Sequence, residues 1–209
     1  MTTAALEKVT AFILHKGTAV PNLLLFEHPT AGIQIPAGTV EEDEDPQAAA
    51  EREAGEESGL RGLKFEAFLG SCTERPVIGD HFIARETSVF SRPDMTSFDW
   101  AHLRRGLTVK LLRQADGFSQ VTFDEPDRWP DPQFATYQIT GWVAEDVLTE
   151  TALRYFYLFS HAGQTPDRWL VPIDYHTFKP FWAPLNLLPD IVAPQKPWLK
   201  FLLKHIGDS

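Results

Sequence analysis

GTVEEDEDPQAAAEREAGEESGL, residues 38–60, carries nine acidic residues between Glu41 and Glu57 against one base, Arg52. Its second half reads as a helix. Asp45 suits the N-cap and Pro46 the first helical position, while Gly59 suits a left-handed end. At 3.6 residues per turn, Glu53, Glu56 and Glu57 share an arc of about 100° on one face. Glu53 and Glu57 are like charges four residues apart, which costs about 0.2–0.5 kcal/mol. Glu56 and Glu57 lie near the negative end of the helix dipole, at ~0.3–1 kcal/mol each when exposed. Gly55 in the interior costs roughly 1 kcal/mol against alanine. Violations packed this closely are expected where function outweighs folding preference. A hard divalent cation resolves them, because it seeks oxygen ligands and turns mutual repulsion into shared attraction.

The acidity belongs to this stretch. The chain has 209 residues and a net charge of −10, from 29 acidic and 19 basic residues. Outside the stretch 20 acids face 18 bases, so the remainder is close to neutral. No basic stripe accompanies the acids, which argues against binding to a nucleic-acid backbone. A 43% hydrophobic and 23% charged composition is that of a folded globular chain. The single cysteine, Cys72, excludes an internal disulfide and a cysteine-rich zinc site. With no signal-like start and no membrane-length apolar run, the expected location is the cytoplasm, away from membranes.

The stretch fits G-x5-E-x7-R-E-u-x-E-E-x-G-u, with Gly38, Glu44, Arg52, Glu53, Glu56, Glu57 and Gly59 at the seven fixed positions. At usages near ~7% per residue, a chance match in this chain is on the order of one in a million. It resembles the signature of the Nudix hydrolases, which cleave diphosphate linkages in nucleoside diphosphates joined to another moiety. Ala54 departs from the larger aliphatic residue usual at its position, while Leu60 fits the second such position. The preceding IQIPAGTVE resembles the strand and loop that lead into that helix. The resemblance implies an α/β (α+β) fold, a Nudix-type α/β/α sandwich around a mixed sheet. It implies Mg²⁺, with Mn²⁺ as an alternative, held by Glu53, Glu56 and Glu57 and by the backbone carbonyl near Ala37. It also implies catalytic roles for Glu53, Glu57, Arg52 and Glu44, with Glu44 held at the loop edge by Arg52. Read without the family, Arg52 stands four residues before Glu56 and can pair with that instead. The implied reaction is attack of a metal-activated water on phosphorus, and the expected partner is a small diphosphate substrate. The general base stays open between Glu53 and a distant glutamate, with Glu86, Glu125, Glu145 and Glu150 as candidates. A non-catalytic module that binds a nucleotide or metabolite as a sensor is the alternative function.

Around the signature, strands are expected at 8–15, 22–27, 32–35, 62–71, 80–90, 137–144 and 153–163. A hairpin is expected at Ala115-Asp116-Gly117, and a loop at 126–133. Residues 178–188 read as a strand turning into a short helical connection. In the closing segment 197–206, Trp198, Leu199, Leu202, Leu203 and Ile206 fall on one helical face. The organisation is one domain over 1–209 with a strand-rich insertion at about 91–150, a candidate for specificity or for pairing with a second copy of the chain. His102, Arg104, Arg105, Lys110 and Arg113 are weaker candidates for an anion site, and a solvated hairpin is the preferred account. Phe178, Phe181 and Trp182 read as core in preference to a base-stacking platform.

Overall fold

The structure is a computed structural model that describes residues 6–15, 20–173 and 176–207. Its first strands are β1 (Leu6–His15), β2 (Asn22–His28), β3 (Gly32–Gln34) and β4 (Ala37–Thr39), followed by helix α1 (Pro46–Ser58). Then come β5 (Lys64–Glu74), β6 (Asp80–Ile83), β7 (Thr87–Phe90), β8 (Asp99–Leu103), β9 (Thr108–Ala115), β10 (Phe118–Pro126), β11 (Ala135–Ala144) and β12 (Leu148–Thr149). The chain closes with β13 (Ala152–His161), β14 (Val171–Ile173), β15 (His176–Pro184) and helix α2 (Leu199–Gly207). Two compact units form, Val9–Ser71 with Tyr155–Ser209, and Met1–Lys8 with Cys72–Arg154. Their boundaries fall inside β1, β5 and β13.

The unit that carries the signature is built on an eight-stranded sheet, ordered β14-β15-β2-β1-β13-β5, with β3 on β2 and β4 on β1. Side chains alternate between the faces of a strand, so odd and even positions meet different layers. From β1 and β13, Val9, Ala11, Ile13, Tyr157 and Phe159 pack with Ala49, Ala50 and Ala54 of α1. The opposite parity serves α2. Phe156 stacks on Phe12 at 6.3 Å and on Phe201 at 4.0 Å. One helix covers each face, which makes an α/β/α sandwich. It also explains why the central strands read as unbroken apolar runs such as AFIL and YFYLF, since both their faces are buried.

Helix α1 begins and ends as its sequence dictates. Asp45 accepts from the backbone N–H groups of Gln47 (2.9 Å) and Ala48 (3.1 Å). Gly59, at φ 70°, donates its N–H back to the Gly55 carbonyl at 2.8 Å. Ala54 is fully buried, so its small side chain lets the helix lie close to the sheet. At the far end, Trp169 Nε1 donates to the Ser58 carbonyl at 2.6 Å.

The other unit is a seven-stranded antiparallel sheet, ordered β12-β6-β9-β10-β11-β7-β8. Ile83 of β6 and Leu103 of β8 come from opposite ends of that order yet share one core cluster with Val121 and Val143, so the sheet curls around its own core. The expected hairpin joins β9 to β10, with Asp116 and Gly117 both at positive φ. Residues 91–150 lie within the Cys72–Arg154 segment of this unit.

Two expectations need correction, and one strand went unread. Residues 80–90 are two strands, because β6 pairs with β9 and β12 whereas β7 pairs with β11 and β8. Residues 99–103, unassigned from sequence, form β8 on β7. Leu203 is 51% exposed, since it stands about 100° around α2 from the fully buried Leu202. Phe178 and Phe181 are buried, and Phe178 stacks on Phe26 at 4.7 Å.

The two glycines of α1 should respond oppositely to alanine. At Gly55 a Cβ meets only the Leu60 carbonyl, at an ordinary 3.5 Å, so Gly55→Ala should add about 1 kcal/mol. At Gly59 it meets Val171 at 3.2 Å in a left-handed conformation, so Gly59→Ala should lose about 1–2 kcal/mol. Thermal melting reads both, at about 2–4 °C per kcal/mol for a chain of this size.

Candidate active site

The acidic stretch folds around Arg52. Residues 41–44 turn tightly, with Glu44 N–H on the Glu41 carbonyl at 3.3 Å and Asp43 at φ 60°. That left-handed residue brings the Glu44 carboxylate back toward α1, where it accepts the Glu41 N–H at 2.9 Å. Arg52 grips Glu44 with two parallel bonds, Nε to Oε1 and Nη2 to Oε2, each 2.9 Å. Nη2 also donates to the Thr39 carbonyl at 3.2 Å. The remaining nitrogen, Nη1, is shared between Glu53 at 3.0 Å and Glu56 at 3.3 Å. Both partners read for Arg52 from sequence are therefore engaged at once. Planar guanidinium geometry permits this, where an ammonium would serve a single point.

The three glutamates meet different surroundings. Glu56 is open, its side chain 58% exposed, whereas that of Glu53 is 15% exposed. Glu53 lies against β4 so closely that a Cβ on Gly38 would fall 2.0 Å from its carboxyl carbon. Any other residue at 38 would displace that carboxylate, which gives the signature glycine its physical reason. Glu57, one turn on along the same face, accepts the Ala37 N–H at 2.9 Å. Ala37 thus contributes its N–H to the support of Glu57.

Proton affinities diverge accordingly. The hydrogen bonds from Arg52 hold the Glu44 carboxyl below the usual carboxylate range. Desolvation pushes Glu53 up, against the pull of Arg52. Desolvation also pushes Glu57 well up, opposed chiefly by the Ala37 N–H and reinforced by Glu53 and Glu56. Glu57 is half-buried as a residue, yet loss of water at its carboxyl group dominates. No cationic side chain pairs with it among the described residues.

In kind, three clustered carboxylates suit a hard cation. In position, no three acidic, histidine or cysteine side chains converge as a ready-made cation cage among the described residues. Arg52 draws Glu53 and Glu56 to itself, and Ala37 holds Glu57. The donor set and its unbalanced charge fit a divalent ion that would take over part of the role of Arg52.

The candidate bases Glu86, Glu125, Glu145 and Glu150 all belong to the unit of Cys72–Arg154. Glu145 accepts from Gln114 Nε2 at 2.6 Å, and Glu150 lies 3.6 Å from His81 Nε2. Of the weaker basic cluster, Lys110 and Arg113 lie on β9 and His102 on β8. Arg113 bonds Gln120 at 2.7 Å and lies over Trp142, while three strands separate β8, with His102, from β9 in the sheet order. Sequence reasoning missed Gln195, whose side chain reaches the backbone beside Ala37 from 160 residues away.

Because the folded chain raises the Glu57 pKa, it holds that proton more tightly than the unfolded chain does. The resulting stability is complete below about 4.5, the ordinary value, and is lost as pH rises through the folded pKa. Glu53 acts in the same direction and Glu44 in the opposite one. Glutamine cannot ionise, so Glu57→Gln without metal should gain on the wild type as pH climbs from 5 to 8. Denaturant unfolding in chelator at both pH values checks this; an advantage that shrinks with pH would contradict the burial of an uncompensated carboxylate.

Compared with known families, the chain matches a family model described as NUDIX domain over residues 7–132, more than half its length. No curated protein matches it.

Proposed function

Since the chain belongs to the Nudix family, hydrolases of nucleoside diphosphate derivatives, we propose that it is a Mg²⁺-dependent diphosphohydrolase acting on a small nucleotide-like substrate. One observation carries the reading: Glu57 is a desolvated carboxylate without a cationic partner among the described residues, on the helix face it shares with Glu53 and Glu56. Burying a charge is expensive unless something balances it, and here a proton or a metal ion must.

Glu53, Glu56 and Glu57 would hold the ion, with Mn²⁺ able to replace Mg²⁺. A divalent cation at such a site supplies charge to polarise a phosphoryl oxygen and to acidify a bound water. The chain's own residues do the rest. Arg52 and Glu44 keep the 39–45 loop closed on α1. Gly38 leaves room for the Glu53 carboxylate, and the Ala37 N–H orients Glu57. Glu53, with its raised proton affinity, is a base candidate within the signature, because a carboxylate shifted toward neutrality accepts a proton more readily in catalysis. The half-buried thiol of Cys72, which is in no disulfide, fits a reducing cytoplasm. Among the described residues no helix is long and apolar enough to cross a membrane.

Mg²⁺ or Mn²⁺ should raise the melting temperature, with about 2.7 kcal/mol gained when free metal is a hundredfold above its dissociation constant. Glu57→Gln should blunt that response and remove most hydrolysis across a nucleotide diphosphate panel. A mutant with intact metal response and turnover would remove the site assignment. A wild type that binds one ligand but turns over none would establish the sensor reading instead.

The organisation we propose is one domain over 1–209, with residues 91–150 as its specificity or dimerisation element. Replacing the β9–β10 hairpin by a short turn should change substrate preference or oligomeric state. If both stay the same, the segment has neither role.

A further inference from the structure

Between β3 and β4 the chain crosses Ile35 and Pro36, and every backbone polar group seen to bond from Ile35 to Ala37 does so to a different part of the sandwich. Just before this crossing, Ile191 bridges Ile33 in parallel, and Val192 donates to the Ile33 carbonyl at 3.0 Å. A strand continuing from Val192 would next serve Ile35. Instead the backbone turns away, with Gln195 N–H on the Val192 carbonyl at 2.9 Å and Trp198 N–H on the Gln195 carbonyl at 3.0 Å. The Gln195 side chain replaces the missing strand. Its Oε1 accepts the Ile35 N–H at 2.6 Å, and its Nε2 donates to the Ile35 carbonyl at 3.3 Å. Ile35 is fully buried and Gln195 is 7% exposed, so water cannot readily substitute for either bond.

We propose that Gln195 is a positioning residue for the hydrolysis, fixing through Ile35 and Pro36 the Ala37 N–H that orients Glu57; this rests on the metal-site reading above. Pro36 makes the link stiff, because its ring locks φ near −65°, and its carbonyl accepts the Ala11 N–H at 2.9 Å. Ala37 follows immediately, bonded to Glu57 Oε2 at 2.9 Å, and Gly38 then forms the surface against which Glu53 rests. A shift of Ile35 is therefore passed to the supports of two of the three candidate ligands. Without the amide, the Ile35 N–H is orphaned in the interior, and the backbone must move to satisfy it.

A purely structural role for Gln195 would lower stability and nothing more. The test compares wild type with Gln195→Met, which keeps the volume and loses both bonds. Phe201→Leu, which loosens the stack on Phe156, serves as a control for general destabilisation. Mn²⁺ affinity is read by electron paramagnetic resonance titration, amide exchange is followed over residues 33–40, and kcat is separated from KM at saturating Mn²⁺. Gln195→Met should weaken Mn²⁺ binding roughly tenfold, the scale seen when a supporting shell is lost. It should also speed exchange at Ile35 and Ala37, and lower kcat more than it raises KM. Phe201→Leu should melt earlier with Mn²⁺ affinity unchanged. Equal Mn²⁺ affinity and equal local exchange in the two variants would overturn the proposal. If the wild type binds no Mn²⁺, the metal-site reading fails, and exchange at Ala37 alone decides whether Gln195 holds that amide. Should Gln195→Met not fold, Gln195→Glu keeps the acceptor for the Ile35 N–H, loses the donor to its carbonyl, and supports the same comparison.

Discussion

The guanidinium of Arg52 is the contact on which the site depends. It is the one base among nine acids in its stretch, and it engages Glu44, Glu53, Glu56 and the Thr39 carbonyl together. Each contact serves a different level of structure. The fork on Glu44 closes the loop, the Thr39 bond ties β4 to α1, and the shared nitrogen holds two glutamates that would otherwise repel. Its proton is held more firmly still by Glu44, so the charge persists at any pH the fold survives. Lysine could satisfy one of these demands but not all of them.

Carboxylates along one short stretch are pushed in opposite directions by ordinary means. Glu44, given two charged hydrogen bonds, stays ionised. Glu57, given a single backbone N–H and little water, prefers a proton or a metal. Groups whose surroundings separate their proton affinities in this way have divided their tasks. In the proposed site Glu44 would be structural, and Glu53 and Glu57 would be chemically poised. Loop and helix contribute equally to that outcome, because the turn at Asp43 decides which carboxylate reaches Arg52.

Much of this was legible in the sequence because the causes are local. Asp45, Pro46 and Gly59 mark the ends of α1 within a few residues, and Asp116-Gly117 marks a hairpin. The grouping of Glu53, Glu56 and Glu57 follows from helical spacing alone. What was not legible depends on partners far away. Residues 80–90 look continuous until β9 and β11 claim its two halves. Asp99–Leu103 has little strand character of its own and becomes β8 by pairing with β7. Gln195 is one polar residue in a coil, and nothing near it in sequence points to Ile35. Burial of Glu57 was equally hidden, since it arises from packing over β4 and not from its neighbours on the helix.

The alanine seam of α1 shapes how such a chain can diverge. Ala49, Ala50 and Ala54 are fully buried against the sheet, and their opposite face looks outward. Drift on the outer face, at Glu51 for example, meets only solvent and can wander widely. Drift along the seam is limited by size more than by polarity, because each added methylene lifts the helix and tilts Glu53 and Glu57 together. A larger residue at 54 could be accommodated only if the sheet beneath gave up volume at Val9, Ala11 or Tyr157 in the same lineage. Sequence variation at these positions should therefore come in compensating pairs, a signature of shape inheritance that would outlast any change of substrate.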